Sequence, residues 1–265
     1  MAVVNTDCPI LTLTTDFGLI DNYAGIVKGI IVYLNPCARV IDVTNQIPPF
    51  NIEAGKYMLE TTYRNFPPGT IHLGIIDPGV GTRRKSLIVE TKDHFFVGPD
   101  NGLFSFLTQR QIKRAVSITK KKYFLKDVSP TFHGRDIFAP VAAYLSRGVE
   151  ATEFGPEIKK IVRLRTRKPK TRAGYPAGEI IYIDHFGNMV TNIKAGDIPS
   201  GKTAVFLNDT AVGPVKKTFG TVRTGRPVCY INSFGRLEIA VNKGSAAEYF
   251  GIDYGSKAKI LIAPA

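Results

Sequence analysis

Ile10-Leu11-Thr12-Leu13-Thr14-Thr15-Asp16-Phe17-Gly18 is the stretch on which the reading of the fold depends. Its first six residues are apolar or β-branched without interruption, the composition of a strand covered on both faces. Just downstream, Tyr23, Ile26, Val27, Ile30, Ile31 and Leu34 recur at helical spacing and stop before Pro36. The alternation continues. Arg39–Val43 reads as a strand, Asn51 can cap a helix to about Tyr63 with Ile52, Met58 and Leu59 inward, and Ile71–Ile76 is a third strand. Leu87–Glu90 and Phe95–Val97 add strands, and Asp136–Leu145 is helical up to the stop at Gly148. A chain that alternates in this way builds a mainly parallel sheet sandwiched by helices on both faces.

Beyond about Thr171 the pattern changes. Glu179–Asp184, Met189–Ile193, Ala204–Leu207, Val228–Asn232, Leu237–Val241 and Ala258–Ile262 are short strand-like runs separated by Gly, Asn or Pro, with few helical stretches between them. That signature predicts a smaller antiparallel β-barrel or sandwich. The expected organisation is an N-terminal α/β domain over 1–165, a Pro- and Lys/Arg-rich linker over 166–174 and a C-terminal β domain over 175–265.

The chain has 265 residues, 44% of them hydrophobic, which excludes disorder and fibre. No window approaches the roughly 18 apolar residues of a spanning helix, and the start lacks a basic segment followed by an apolar one. The expectation is a cytoplasmic protein. Cys8, Cys37 and Cys229 are far apart and odd in number, and four histidines are equally scattered, so neither a disulfide framework nor a Cys/His metal site is indicated. The net charge of +13 is local, since residues 101–172 hold 17 basic and 5 acidic side chains. The densest part, Lys159–Arg172, has no aromatic side chain on which a base could stack. It reads as a solvated connector or strand edge in preference to a nucleic-acid site.

In an open parallel sheet, ligands gather beyond the carboxyl ends of the strands. Asp16 ends the first strand, Asp77 to Arg84 follows the third, and His133 precedes a helix. Each has a plain alternative: Asp16 a turn residue, Asp77-Pro78-Gly79 a turn with Arg84 on its surface, His133 a loop histidine, Asp136 a helix cap, Asp184 with Gly187-Asn188 a hairpin corner. Neither phosphate-loop nor dinucleotide glycine pattern is present.

Six motifs in order, TTDFG (14–18), IDPGVGTRR (76–84), FVGPDNGLF (96–104), PTFHGRD (130–136), IDHFGNMVTNI (183–193) and INSFGRLEIAVNKGSAAEYFG (231–251), resemble the S-adenosyl-L-methionine (SAM) hydroxide adenosyltransferases. These are hydrolytic relatives of the fluorinase and chlorinase, and the resemblance spans nearly the whole chain. It implies hydrolysis of SAM to adenosine and L-methionine, SAM being the substrate and no cofactor or metal being required. By position it assigns Asp77, Arg84 and His133 to the attacking water and Asp16 to both ribose hydroxyls. Asp184 falls near the methionine ammonium group, Phe186 and Asn188 at adenine, and Ser233 at the methionine carboxylate. Asp21 and Phe50 match a methionine-side acid and an aromatic wall, and Asn242 lies in the stretch passing adenine. The family forms homotrimers with the first domain of one subunit facing the second domain of its neighbour.

The halogenating relatives carry a tyrosine, a threonine and a serine around the halide, where this chain offers Asp77, Val80 and Gly134. A carboxylate repels a halide, so hydrolysis is favoured over halogenation. Phe234 replaces the arginine that follows the serine in those enzymes. The reaction implied is in-line attack of water on ribose C5′ with departure of neutral methionine; either Asp77 or His133 could take the proton. Halogenation, ligand binding without turnover, and nucleic-acid binding are the competing functions.

Overall fold

The computed structural model describes residues 8–164, 169–172, 175–201, 203–254 and 258–264. The chain divides into two compact units, Met1–Leu164 and Arg165–Ala265.

In the first unit the strands are β1 (Ile10–Thr15), β2 (Arg39–Thr44), β3 (Ile71–Ile75), β4 (Ser86–Thr91), β5 (Phe95–Pro99) and β6 (Ile112–Ser117), ordered β2-β1-β3-β5-β4-β6. Pairings β1–β2, β1–β3 and β3–β5 are parallel, while β4 runs antiparallel to both its neighbours. The sheet is mainly parallel, as its near-continuous apolar strands imply. Leu11, Leu13, Leu73 and Ile75 project from one face into a core shared with Ala24, Val27 and Ile31 of helix α1 (Tyr23–Leu34). Helix α3 (Ala139–Ser146) packs into the same core.

Helix α2 (Ile52–Thr62) covers the opposite face and is capped by the Asn51 side chain, which accepts from the Ala54 N–H at 3.0 Å. Its buried stripe is Ala54, Gly55, Lys56, Tyr57 and Leu59; the expected inward residues Ile52 and Met58 are only half-buried. Gly55 is the reason. A β-carbon there would lie 2.7 Å from Ile76, so the helix approaches along its smallest residue and not its largest. The predicted helix at Asp136 also differs: Gly134–Phe138 forms a π-helical turn leading into α3. Asp136 is no cap. It is fully buried and accepts from the Ser129 N–H and the Arg135 guanidinium.

In the second unit, β7 (Lys170–Arg172), β8 (Tyr175–Ile183), β9 (Met189–Lys194), β10 (Thr203–Leu207), β11 (Thr210–Gly213), β12 (Val215–Lys216), β13 (Pro227–Ile231), β14 (Arg236–Val241) and β15 (Lys259–Pro264) form one sheet. Its order is β11-β10-β15-β8-β9-β14-β13-β12, with β7 pairing β8. The pairings are antiparallel except β12–β13. The sheet curls nearly into a barrel, and the Cys229 thiol of β13 reaches the carbonyls of Gly213 and Pro214 across the closing edge. Burial pushes that thiol up to about 12, so it stays protonated and inert. Met189, Ile193, Val205, Leu237, Ile239 and Ile260 fill the interior, and helix α4 (Ala246–Phe250) is capped by Ser245.

Within the expected 166–174 linker, Lys170–Arg172 pairs antiparallel with β8. Residues 166–168 and 173–174 lie outside the described residues, as does part of the basic stretch. Among the described residues no helix is long and apolar enough to cross a membrane.

Candidate active site

The segments that follow β1, β2 and β3 at their carboxyl ends, together with residues 129–135, build one cavity of about 460 Å³. Asp16, Phe50, Asp77 and His133 all line it, together with Phe17, Tyr23, Val80, Phe132, Gly134 and Arg135. The size is in the range of small-molecule sites.

Arg84 joins Asp77 to His133. Its Nε donates to Asp77 Oδ1 at 2.9 Å and to Oδ2 at 3.0 Å, and one terminal nitrogen also bonds Oδ2. That same terminal nitrogen lies 2.9 Å from His133 Nδ1, while the other donates to Ser86 Oγ at 3.0 Å. The guanidinium carbon sits 5.2 Å from the centre of the Phe138 ring. Both partners of the ion pair are nearly buried, with side chains 9% and 7% exposed. Such a bidentate pair is directional and well shielded from salt.

A guanidinium has only donors, so His133 Nδ1 must accept. Burial and then the nearby Arg84 charge hold His133 below the usual histidine range. The ring is therefore neutral with its proton on Nε2, and it meets a ligand as a donor. This narrows the expectation that His133 could take up a proton, because its accepting nitrogen is already engaged.

Close backbone approach makes this convergence possible. Gly81 has φ +76°, and a β-carbon there would lie 2.4 Å from the Pro130 carbonyl oxygen. The loop carrying Asp77 and Arg84 thus packs directly on the loop carrying His133. At Gly134 a β-carbon would meet Phe17, Ile75 and Phe132 at 3.3 to 3.4 Å, so a larger residue would crowd the cavity wall.

Asp16 accepts from the Phe50 N–H at 2.8 Å, which fixes Phe50 at φ +65°, a conformation unusual for a bulky residue. Burial, against the backbone donors of Phe50 and of Asp16 itself, pushes the Asp16 carboxyl above its ordinary value; Asp77 adds in the same direction. Phe17, Tyr23 and Phe132 form a mutually packed aromatic group, with centroids 5.2 to 6.0 Å apart. The sequence carried Phe17 and Phe132 inside its motifs, but only their shared wall gives them a role. Asp21 is exposed in the loop before α1 and does not line the cavity.

The second unit has its own cavity, about 1060 Å³, lined by Asp184, Phe186, Asn188 and Asn242. Asp184 Oδ1 accepts the N–H groups of Phe186 at 2.9 Å and Asn188 at 2.8 Å, and its Oδ2 accepts Asn188 Nδ2 at 2.9 Å. It therefore organises the hairpin corner. Phe186 is thrown outward, 73% exposed. Asn242 donates to the Val222 carbonyl at 2.7 Å, fixing a wall formed with Phe219, which sequence reasoning had not singled out. Ser233 is exposed on a separate turn and does not line this cavity.

The N-terminal domain of the SAM hydroxide adenosyltransferase family matches residues 11–155 and its C-terminal domain residues 178–259. The chain belongs to that family. It is 36% identical to the (R)-S-adenosyl-L-methionine hydrolase of Salinispora tropica, over 95% of this chain and 97% of the relative. It is 35% identical to the hydrolase of the same name from Thermus thermophilus, over 93% and 97%. A fluorinase from an Actinoplanes species is 26% identical over 93% of this chain and 95% of the relative. A solved structure of an uncharacterised conserved protein from Thermotoga maritima superposes with a TM-score of 0.86 at 36% identity, covering 96% of this chain and 99% of that one. The likeness to the SAM hydroxide adenosyltransferases therefore extends through both units.

Proposed function

We propose that this protein hydrolyses S-adenosyl-L-methionine to adenosine and L-methionine, with Asp77, Arg84 and His133 governing the attacking water. The observation that carries the reading is the bonded Asp77–Arg84–His133 group bordering the cavity that Asp16 also lines. Asp16 accepts from the two ribose hydroxyls, which places C5′ near the trio. Water attacks C5′ opposite the sulfonium, the C–O bond forms as the C–S bond breaks, and methionine departs as a neutral thioether without an acid. The proton of the water passes to Asp77 as the new bond forms. The Nε2–H of His133 donates to the same oxygen, and Arg84 keeps both partners aimed at it. Orientation at contact distance supplies most of the advantage, because a held nucleophile reacts as if at very high concentration.

The cavity of the second unit supplies the purine side. Phe186 stacks on adenine; the Asn188 carbonyl, left over after its amide nitrogen bonds Asp184, accepts from the exocyclic amine; Asp184 and Asp21 favour the methionine ammonium. Neither unit by itself carries both sets of residues; the resemblance to the family's homotrimers is what supports an assembly in which the first unit of one copy faces the second unit of another. The substrate is SAM with no further cofactor, and the expected location is the cytoplasm.

The test is incubation with each sulfonium epimer of SAM, following adenosine and methionine by chromatography. Absence of both products above a no-enzyme control refutes the proposal. A halide-containing buffer yielding 5′-halo-5′-deoxyadenosine would instead establish halogenation, against the anion-repelling Asp77.

A further inference from the structure

The turn that carries Ser233 is held by a run of hydrogen bonds whose polarity is set at one end. Glu238 on β14 is 7% exposed. It accepts from the Tyr230 hydroxyl at Oε1 and from Asn232 Nδ2 at Oε2, the latter at 2.8 Å. Asn232 Oδ1 then accepts the backbone N–H of Phe234 at 3.0 Å and of Arg236 at 3.1 Å, and its carbonyl receives the Gly235 N–H at 3.0 Å. A carboxylate only accepts. Asn232 must therefore turn its NH2 to Glu238 and its oxygen to the turn, because the reversed amide would face two N–H donors. Ser233 occupies the second position of this turn, exposed, and no described residue bonds its N–H or hydroxyl.

We infer that Glu238 is a positioning residue for the amino-acid tail of the substrate: through Asn232 it holds the Ser233 N–H and O–H as a fixed pair of outward donors for the tail carboxylate. The inference rests on the reading of the chain as a protein acting on SAM. Phe234 follows Ser233, so the residue next to the serine supplies no charge. Two neutral donors grip an anion well only when their geometry is set beforehand, and the buried carboxylate sets it. Glu238→Met has nearly the same length but accepts at neither end, so the Asn232 amide loses the partner that holds it.

The experiment compares calorimetric affinities for S-adenosyl-L-homocysteine and 5′-deoxy-5′-(methylthio)adenosine, nucleoside thioethers with and without the tail. Neither is a sulfonium, so binding is read apart from turnover. Glu238→Met is expected to reduce the preference for the tail about tenfold or more, the worth of a hydrogen bond to a charged group. Affinity for the tail-less compound should stay within about twofold of wild type. Ser233→Ala should reduce the preference similarly, and the double variant no further than either alone. Equal loss for both ligands, or an unchanged preference, overturns the inference. If Glu238→Met does not fold, Asn232→Ala breaks the same link from the side of the turn; a comparable fall in the ratio is expected, and an unchanged ratio is equally fatal. A wild type that prefers the tail yet converts no SAM would refute the hydrolase reading while leaving Glu238 in this role.

Discussion

His72 makes the pH dependence of stability calculable. Its side chain is 1% exposed, with Nδ1 at 2.8 Å from the Thr12 hydroxyl and the ring stacked on Phe96 at 5.1 Å. Burial, with a contribution from His94, lowers its pKa from 6.5 to about 3. The unfolded chain therefore binds a proton that the folded chain refuses, and stability falls as pH drops from about 6.5 towards about 3. Linkage gives a loss of about 2 kcal/mol at about pH 5 relative to about pH 8. At that pH the figure depends almost entirely on the unfolded pKa. The assay is urea unfolding of wild type and His72→Phe at both pH values and one protein concentration. The fixed packing and hydrogen-bond cost of the substitution cancels in the pH difference. Wild type should lose about 2 kcal/mol more than the variant on acidification; an identical loss in both refutes the assignment of a buried neutral His72.

Four further outcomes follow from the candidate site. Arg84→Lys keeps a charge but loses the fork to Asp77 and the contact with His133, and kcat should fall about a hundredfold or more while the affinity for substrate changes little. His133→Asn retains an acceptor towards Arg84 but removes Nε2–H; kcat unchanged within a factor of about two would remove His133 from the chemistry. Asp16→Asn should mainly weaken binding, by about tenfold or more, read by calorimetry with adenosine, since one ribose hydroxyl loses its charged acceptor. Gly81→Ala should lower both activity and melting temperature, because its β-carbon meets the Pro130 carbonyl and its φ is positive; wild-type values for both would show that the loops need not touch.

Most helices and strands of the first unit were legible because their buried faces leave regular marks: an uninterrupted apolar β1, a helical spacing in α1, the Asn51 cap; β6, with Lys113 and Arg114 in its first half, was not read. The inward face of α2 was misread because a glycine contact leaves no hydrophobic signal. Strands β11 and β12 were missed because they are short and their exposed residues lack alternation. Among site residues, Asp77, Arg84, His133, Asp16 and Phe50 come together at one strand end, whereas Asp21 and Ser233 stay on exposed loops.

By itself the sequence determined the two-part organisation, the mainly parallel sheet and the identity of the polar residues at its carboxyl end, since periodicity and motif order are local properties of the chain. Tertiary structure alone decided that Arg84 bonds Asp77 and His133 at once, that His133 is left as a donor, and that Glu238 orients the Asn232 amide. Those facts depend on hydrogen-bond direction between residues brought close by folding. Spacing along a chain carries no information about which lone pair is already occupied.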